Sequence, residues 1–310
     1  MKKIIVLLLS LSVSLAPAAA MAEPLRVAAL KGPTAMGLVK LMKDSEGGED
    51  YLFTLAASPD AVLPGLLRGE IDLACIPVNL AAILYANTGG AVRVVSINTL
   101  GVLFILQRGE GVCQLSDLAG RKIYASGKAS TPEYALNHLL ALAGVENVEI
   151  EWKGEHAETL AALMNDPAGL SMLPQPFAAL AMENDPDIRI ALDLNREWEN
   201  LSGDSLITGV TVARKELLEG DQAGLNRFLS DYQTSTAYVN ENIVQAAGLI
   251  EEYGILNAKT AEKALPNCAI TFIMGQEMKG LLDPFYQVLF RQNPASTGGA
   301  VPDDRFYYAP

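Results

Sequence analysis

Small polar residues occupy five turns of this sequence at which a strand pattern gives way to a helix pattern. These turns lie at 32–35, 58–59, 77–79, 127–132 and 173–176. Free backbone N–H groups and the helix dipole at such a position attract an anion or a polar oxygen. In open α/β sheets these turns gather beyond the carboxyl ends of the strands. We therefore predict that the five turns line one ligand-binding cleft.

Structural roles would also account for some of these residues. Ser58 and Thr131 each precede a proline and suit a helix cap, and Gly32 suits a tight turn. Gln175 is harder to explain by packing, because the prolines on both sides of it stiffen the chain and orient its side chain. For Ser58 and Thr131 the sequence leaves capping and ligand contact open.

A catalytic interpretation has one candidate, Ser205, in a Gly-Asp-Ser-Leu block at 203–206. A serine hydrolase would need a histidine base, and the chain has only His138 and His156. Because triads are defined by geometry and not by chain order, Ser205 stays as a minor alternative. The sequence contains no GxSxG, HExxH or P-loop motif. We expect no catalytic residue.

Metal and redox sites are poorly supported. Two histidines cannot form a three-histidine zinc site, and the three cysteines lack CxxC spacing. Glu155, His156 and Glu158 form a polar cluster, but acidic residues are ordinary in a first helical turn. Cys75 lies in an apolar run and suits the core, whereas pairing of Cys113 with Cys268 is left open. We expect no metal and no cofactor.

Composition limits the possible partners. The chain has 310 residues, half of them apolar, and a formal charge of −13 without a long basic run. Most of such a surface repels a phosphate backbone, so we expect no nucleic-acid partner. The length suggests two domains or two lobes.

The first segment has the pattern of an export signal. Lys2 and Lys3 precede an apolar run at 4–9, and small residues follow as far as Ala22. The run is too short and too rich in Ser and Ala to favour a membrane anchor. We predict a signal peptide at 1–22 with cleavage after Ala22, no lipid-anchoring cysteine, and a periplasmic chain of charge −15.

Short apolar strand patterns alternate with helical patterns along the rest of the chain. This rhythm predicts an α/β fold in which helices cover the sheets. We expect two lobes, one formed by 23–101 plus 207–310 and the other by 102–206, hinged where the chain crosses between them.

Several segments together resemble a known family. They are the opening segment 25–35, Leu-Leu-Arg-Gly-Glu-Ile-Asp-Leu-Ala at 66–74, Gly-Lys-Ala-Ser-Thr-Pro-Glu at 127–133, and Leu-Pro-Gln-Pro-Phe at 173–177. With the export signal, they resemble the periplasmic substrate-binding proteins of ABC importers. The nitrate, sulfonate and taurine type, which includes binders of thiamine pyrimidine precursors, is the most similar group.

The resemblance implies a type II periplasmic binding protein fold, with a mixed sheet in each lobe and a small organic solute, anionic or polar and heteroaromatic, held between them. It also implies a monomer that delivers the solute to the transmembrane subunits of a permease. Its ligand contacts fall on Gly32, Thr34, Ala35, Ser58, Asn79, Ser130, Thr131 and Gln175. The sequence departs from the inorganic-anion binders in that Lys31 and Lys128 are the only cations of these loops. Enzymes on the same fold, of the menaquinone-pathway lyase or thiamine-pyrimidine synthase type, are the alternative, but the export signal disfavours them.

Overall fold

Two mixed β-sheets organise the computed structural model, which describes residues 23–309. The predicted signal peptide at 1–22 lies outside the described residues. The strands of the first sheet are β1 (Leu25–Leu30), β2 (Tyr51–Ala56), β3 (Leu73–Pro77), β4 (Val92–Leu100), β10 (Ile207–Arg214) and β11 (Ile270–Ile273). Those of the second sheet are β5 (Leu103–Arg108), β6 (Lys122–Ser126), β7 (Glu149–Lys153), β8 (Leu170–Pro174) and β9 (Ile188–Asp193).

Helices cover these sheets and lie between the strands in the chain. They are α1 (Pro33–Met36), α2 (Val39–Asp44), α3 (Leu63–Arg68), α4 (Val78–Thr88), α5 (Thr131–Leu142), α6 (His156–Asn165), α7 (Phe177–Asn184), α8 (Leu194–Ser202), α9 (Lys215–Gly220), α10 (Gln222–Glu241), α11 (Ile243–Glu252), α12 (Ala258–Ala264) and α13 (Gly275–Gln292). Along 23–309, no helix is both long enough and apolar enough to cross a bilayer. The predicted α/β architecture with two helix-covered mixed sheets is confirmed.

Read from β2, five strands of the first sheet (β2-β1-β3-β10-β4) repeat the order of the second sheet, and β11 is added at the edge. The first runs β11-β4-β10-β3-β1-β2 and the second β7-β6-β8-β5-β9. In each, three strands pair in parallel, and one strand carried over by a chain crossing, β10 or β5, is inserted antiparallel beside them. The parallel strands of a sheet therefore have their carboxyl ends at one edge, where the turns into α1, α4, α5, α6 and α7 lie.

The chain passes from β4 in the first sheet to β5 in the second through residues 101–102 and returns through 203–206. Gly101 lies in the first passage, where an added Cβ would stand 2.6 Å from the Cβ of Asn195. Any larger residue there would push the first crossing away from α8. The lobe boundaries inferred from the sequence remain a prediction.

Late helices of the chain pack against helices of the second sheet. On α13, Phe285 contacts Trp198 of α8 with ring centroids 5.6 Å apart. On α12, Lys259 and Thr260 bind the carboxylate of Glu183 in α7. One apolar core consequently continues from the first sheet to the second.

The cysteines are all free thiols. Cys75 is completely buried, as predicted, and burial raises the pKa of its thiol to about 11. Cys113 is exposed and Cys268 is buried, and no disulfide joins them.

A nearly buried carboxylate ties together three neighbouring strands. Asp72, directly before β3, is 6% exposed and accepts hydrogen bonds from Arg26 of β1 at 2.7 and 2.8 Å and from Arg214 of β10 at 3.0 Å. Burial alone would raise the pKa of Asp72, but these hydrogen bonds outweigh it and hold the pKa below its ordinary value. The stability that they confer is present above the unfolded pKa of about 3.9 and is lost as the pH falls through the folded value.

We expect Asp72→Ala to lower the free energy of unfolding by about 2–3 kcal/mol, because two guanidinium groups lose their partner. The loss is smaller than for a fully buried pair, since the Arg26 side chain is 40% exposed. Urea unfolding at neutral pH measures it. Glu70→Ala, which breaks the exposed pair with Arg68, is the control and should change nothing measurable. Equal stability of both variants would contradict the role assigned to Asp72.

Candidate functional site

Three adjoining cavities form a cleft between the two sheets. One measures about 370 Å³ and a smaller one about 210 Å³. A third measures about 400 Å³ and is lined by turns of the second sheet and by Ala57 after β2. The first two share Val102, Pro174 and Thr208, and His156 lines all three. The cleft thus lies where the carboxyl ends of the parallel strands of both sheets meet the two crossings.

The structure gathers six of the eight predicted site residues at this cleft. Asn79, Ser130 and Thr131 line the 370 Å³ cavity. Gly32, Thr34 and Gln175 line the 210 Å³ cavity. Their role in holding a ligand remains a prediction.

The two other residues lie beside the cleft. Ala35 is completely buried, and its N–H donates to the carbonyl of Gly32, so it packs in the core. Ser58 is exposed and lies between Ala57 and Pro59, which do line the cleft. Neither residue is among those that line the three cavities.

Helix capping, the alternative role for Ser58 and Thr131, is not what their side chains do. Ser58 precedes a short 3₁₀ helix at Pro59–Ala61 but makes no side-chain cap hydrogen bond. The N-cap of α5 is Ser130, whose hydroxyl donates instead to the carbonyl of Gly127 at 2.6 Å. The hydroxyl of Thr131 reaches across the cleft and donates to Oδ1 of Asn79 at 3.2 Å. This hydrogen bond joins the N-termini of α4 and α5.

Besides the single turn α1, three helices of ten or more residues begin at the cleft without a side chain on their first-turn N–H groups. They are α4, after Pro77, α5, after Ser130, and α6, after Glu155. By contrast, Asp193, Asp221 and Asn257 cap α8, α10 and α12. Other helices such as α9 also lack a cap, so the distinctive feature is that three uncapped termini converge. Together they offer N–H donors and a positive potential.

Gln175 carries a polar atom that is left without a partner. The residue is 1% exposed, and its Oε1 accepts from the N–H of Ala179 at 3.2 Å, which fixes the orientation of the amide. Within 23–309, its Nε2 has no hydrogen-bond partner. Such a donor costs about 1–3 kcal/mol unless a ligand or a water molecule satisfies it.

His156 lines the cleft, although the sequence analysis weighed it only as a metal ligand and as a possible base for Ser205. Its Nδ1 lies 2.6 Å from Oγ of Ser126, and its ring packs on Phe177 with centroids 5.2 Å apart. Burial lowers the pKa of its imidazole below the ordinary 6.5, so the ring is neutral at neutral pH. No group of three potential metal ligands occurs in the described part of the chain. Only the parallel pairing of β6 with β7 brings His156 and Ser126 together, and no local motif signals it.

Thr99 and Thr208 were also missed. They lie on the strands that flank the chain crossings, and both line the 210 Å³ cavity. Their position next to the predicted crossings could have indicated them, because a chain segment that connects the two sheets passes the cleft between them.

The two loop lysines do not supply a free cation. Lys31 lines the 210 Å³ cavity, but its Nζ donates to the carbonyl of Gly254 at 2.9 Å. Lys128 is exposed and lines none of the three cavities. Apart from Lys31 and Glu155, the polar side chains of the cleft are therefore amide, hydroxyl and imidazole groups, which lie among prolines, aliphatic side chains and Phe177.

Ser205 is not joined to a histidine. Neither His138 nor His156 hydrogen-bonds to it in the described chain, and His138 packs on Trp198 with ring centroids 4.8 Å apart. The Gly-Asp-Ser-Leu block lies instead in the return crossing, where Gly203 has a left-handed backbone with φ of 77°.

Solved structures share this architecture. An ABC transporter protein from Parabacteroides distasonis superposes with a TM-score of 0.79 at 20% identity, covering 93% of this chain and 99% of that one. The periplasmic aliphatic sulphonate binding protein SsuA of Escherichia coli gives 0.74 at 19%, covering 93% of each. The alkanesulfonate-binding SsuA of Xanthomonas axonopodis pv. citri, bound to MOPS, gives 0.66 at 16%, covering 92% and 96%.

The chain has the periplasmic binding protein fold. This confirms the fold that the sequence resemblance implied. No family model matches the chain, and no curated protein does. Identities of this size establish the periplasmic binding protein fold alone, so the ligand has to be argued from the cleft.

The lowered pKa of His156 predicts a pH dependence of stability. An unfolded chain takes up a proton on this histidine near pH 6.5, whereas the folded chain does so only at lower pH. The free energy of unfolding should therefore decrease as the pH falls through about 6.5. His156→Gln should reduce this decrease, as measured by urea unfolding over that range.

His138 serves as the comparison. Burial, assisted by the charge of Arg291, also lowers the pKa of its imidazole. His138→Gln should therefore also reduce the pH dependence of the free energy of unfolding. In the double variant this free energy should change least with pH. A His156→Gln protein with the pH dependence of the wild type would show that His156 titrates normally.

Proposed function

We propose that this protein is the extracytoplasmic solute-binding component of an ABC importer. It captures a small organic solute, anionic or polar and heteroaromatic, in the cleft and delivers it to the transmembrane subunits of a permease. The observation that carries the proposal is the convergence of three uncapped helix N-termini, from both sheets, on one cleft. Sulfonate binders among the solved structures of the same fold support it.

The donors of the cleft suit a ligand that presents oxygen or ring-nitrogen acceptors. First-turn N–H groups of α4, α5 and α6 surround apolar walls that include Pro77, Leu80 and Val102. Backbone donors can hold an anion without a cationic side chain, so the overall charge of −13 does not oppose such a ligand. A micromolar dissociation constant requires about −8 kcal/mol, which a few hydrogen bonds and the burial of an apolar body can supply.

The same proposal includes the predicted organisation of the chain. Export by residues 1–22 with cleavage after Ala22 places it in the periplasm, where it acts as a monomer. The lobe of 23–101 plus 207–310 and the lobe of 102–206 separate and close about the two crossings. Ligand contacts to both walls stabilise the closed form.

A bulky side chain at the mouth of the cleft should abolish capture. Asn79 lies in the first turn of α4 and lines the 370 Å³ cavity, so Asn79→Trp fills space that the solute needs. Equilibrium dialysis against a mixture of small metabolites, followed by mass spectrometry of the retained compounds, measures capture. We expect the wild type to retain a solute and the variant to lose at least about tenfold in affinity.

Asn87→Trp is the matched control, because Asn87 lies on the same helix but is exposed near its other end. It should retain the solute like the wild type. If the wild type retained nothing, or if Asn79→Trp retained the solute unchanged, the cleft would not be the site of capture.

A hydrolase is the second candidate function, favoured by the 2.6 Å contact between Ser126 and His156. In a serine triad a carboxylate binds the other nitrogen of the histidine. Among residues 23–309 no carboxylate hydrogen-bonds to His156, and Ser126 is only 2% exposed. The pair therefore lacks both the orienting acid and the access that nucleophilic attack requires.

An esterase assay with p-nitrophenyl acetate separates the two functions. We expect the wild type, Ser126→Ala and Ser205→Ala to hydrolyse this ester at the same background rate. Turnover by the wild type that disappears in Ser126→Ala would establish the hydrolase instead, and its loss only in Ser205→Ala would point to the return crossing.

A further inference from the structure

The 210 Å³ cavity differs from the rest of the cleft in the hydrogen bonds that it can offer. Three threonines line it, and each has already committed its hydroxyl proton to the protein. Thr34 donates to the carbonyl of Leu30 at 2.9 Å, and Thr208 donates to the carbonyl of Leu100 at 2.6 Å. Since a carbonyl cannot donate, the direction of both bonds is certain.

The hydroxyl proton of Thr99 is also used within the protein, here in a hydrogen bond to a side-chain amide. Its hydroxyl donates to Oδ1 of Asn98 at 2.9 Å, and Nδ2 of the same amide donates to Oγ1 of Thr211 at 3.1 Å. A hydroxyl has one proton and two lone pairs. With their protons used, the three threonines can present only lone pairs to a ligand.

One unsatisfied donor accompanies these acceptors. Gln175 lines the same cavity, and its buried Nε2 has no partner in the described chain. Of the residues from 23 to 309, Lys31 is the only one with a charged side chain that lines the cavity, and it is engaged with Gly254. A group bound here would meet three threonine acceptors, the amide donor of Gln175 and the neutral imidazole of His156, and no countercharge.

We propose that the 210 Å³ cavity is a second subsite of the cleft and holds an uncharged group that both donates and accepts hydrogen bonds, such as a carboxamide. Its two N–H hydrogens donate to the lone pairs of two of the three threonines Thr34, Thr99 and Thr208, and its oxygen accepts from Nε2 of Gln175. An oxyanion lacks protons for the threonines, and an ammonium group lacks a carboxylate to neutralise it. The inference rests on the proposed function, because it describes one end of the captured solute.

Gly209 maintains the shape of this subsite. A Cβ on it would lie 2.7 Å from Cγ2 of Thr34 and 2.5 Å from Oδ1 of Asn98. The absence of a side chain at 209 thus lets Thr34 approach the start of β10. It also leaves room for the Asn98 amide that accepts the hydrogen bond from Thr99.

Small fragments test the subsite independently of solute capture. Acetamide, acetate and methylammonium have similar size and differ in charge, and the methyl resonances of Thr34, Thr99 and Thr208 report on the cavity in NMR spectra of the whole chain. We expect acetamide to shift these resonances saturably, while Thr54, on an exposed position of β2, does not move. Acetate and methylammonium should have a weaker effect.

Variants of Thr208 refine the test. Thr208→Val retains the shape but removes the lone pairs, and should weaken acetamide binding about fivefold, the effect of one hydrogen bond. The signals of Thr34 and Thr99 measure this. Thr208→Ser should restore binding, and Thr54→Val should leave it unchanged, while thermal unfolding confirms that each variant is folded.

Two outcomes would overturn the subsite. Acetate or methylammonium could bind as well as acetamide, or none of the three fragments could shift the threonine signals, which would leave the cavity to water alone. Either result leaves the proposed function standing if dialysis shows that a solute is retained and lost in Asn79→Trp. Retention of no solute would instead remove the proposed function.

Discussion

Unsatisfied backbone groups at helix N-termini are the constraint on which this structure depends. Each helix leaves its first N–H groups without partners, and the common strand order of the two sheets sends α4, α5 and α6 away from the same cleft. Where α8, α10 and α12 begin, acidic or amide side chains satisfy these groups. No side chain does so at α4, α5 or α6, so the N–H groups that the backbone leaves free there can bind solvent or a ligand. The fold therefore creates a donor-lined cleft whose one lining lysine in the described chain, Lys31, is engaged with the carbonyl of Gly254.

The chain crossings add acceptors to this donor-lined cleft. Thr208 stands on β10, and its hydroxyl binds the carbonyl of Leu100 at the end of β4, so one hydrogen bond ties the return strand to the start of the outgoing crossing. The same bond uses the only proton of that hydroxyl. The hydrogen bond that stabilises the crossing thus leaves the Thr208 hydroxyl able to accept from a ligand but not to donate to it. The polarity of the 210 Å³ cavity is a consequence of how the lobes are connected.

Local signals in the sequence were sufficient to locate the turns of the cleft, because Gly, Pro and Ser at strand ends reflect backbone requirements within a few residues. They could not separate Thr34, which lines the cleft, from Ala35, which is buried, since α1 is a single turn whose rotation depends on packing. The contact of His156 with Ser126 arises from strand pairing and has no local signature. Likewise, apolar runs do not reveal that β5 and β10 are antiparallel.

The contacts between the two halves differ greatly in strength, and this restricts how the cleft can open. Separation of its walls must break the hydrogen bond of Thr131 to Asn79, which contributes about 1 kcal/mol. Elsewhere Trp198 is 1% exposed against Phe285, and Glu183 of α7 accepts from Lys259 and Thr260 of α12. Separating these helices would expose a large aromatic surface and unpair a carboxylate. In the proposed opening we therefore expect the helix contacts to persist, while the chain bends at 101–102 and 203–206 and Asn79 separates from Thr131.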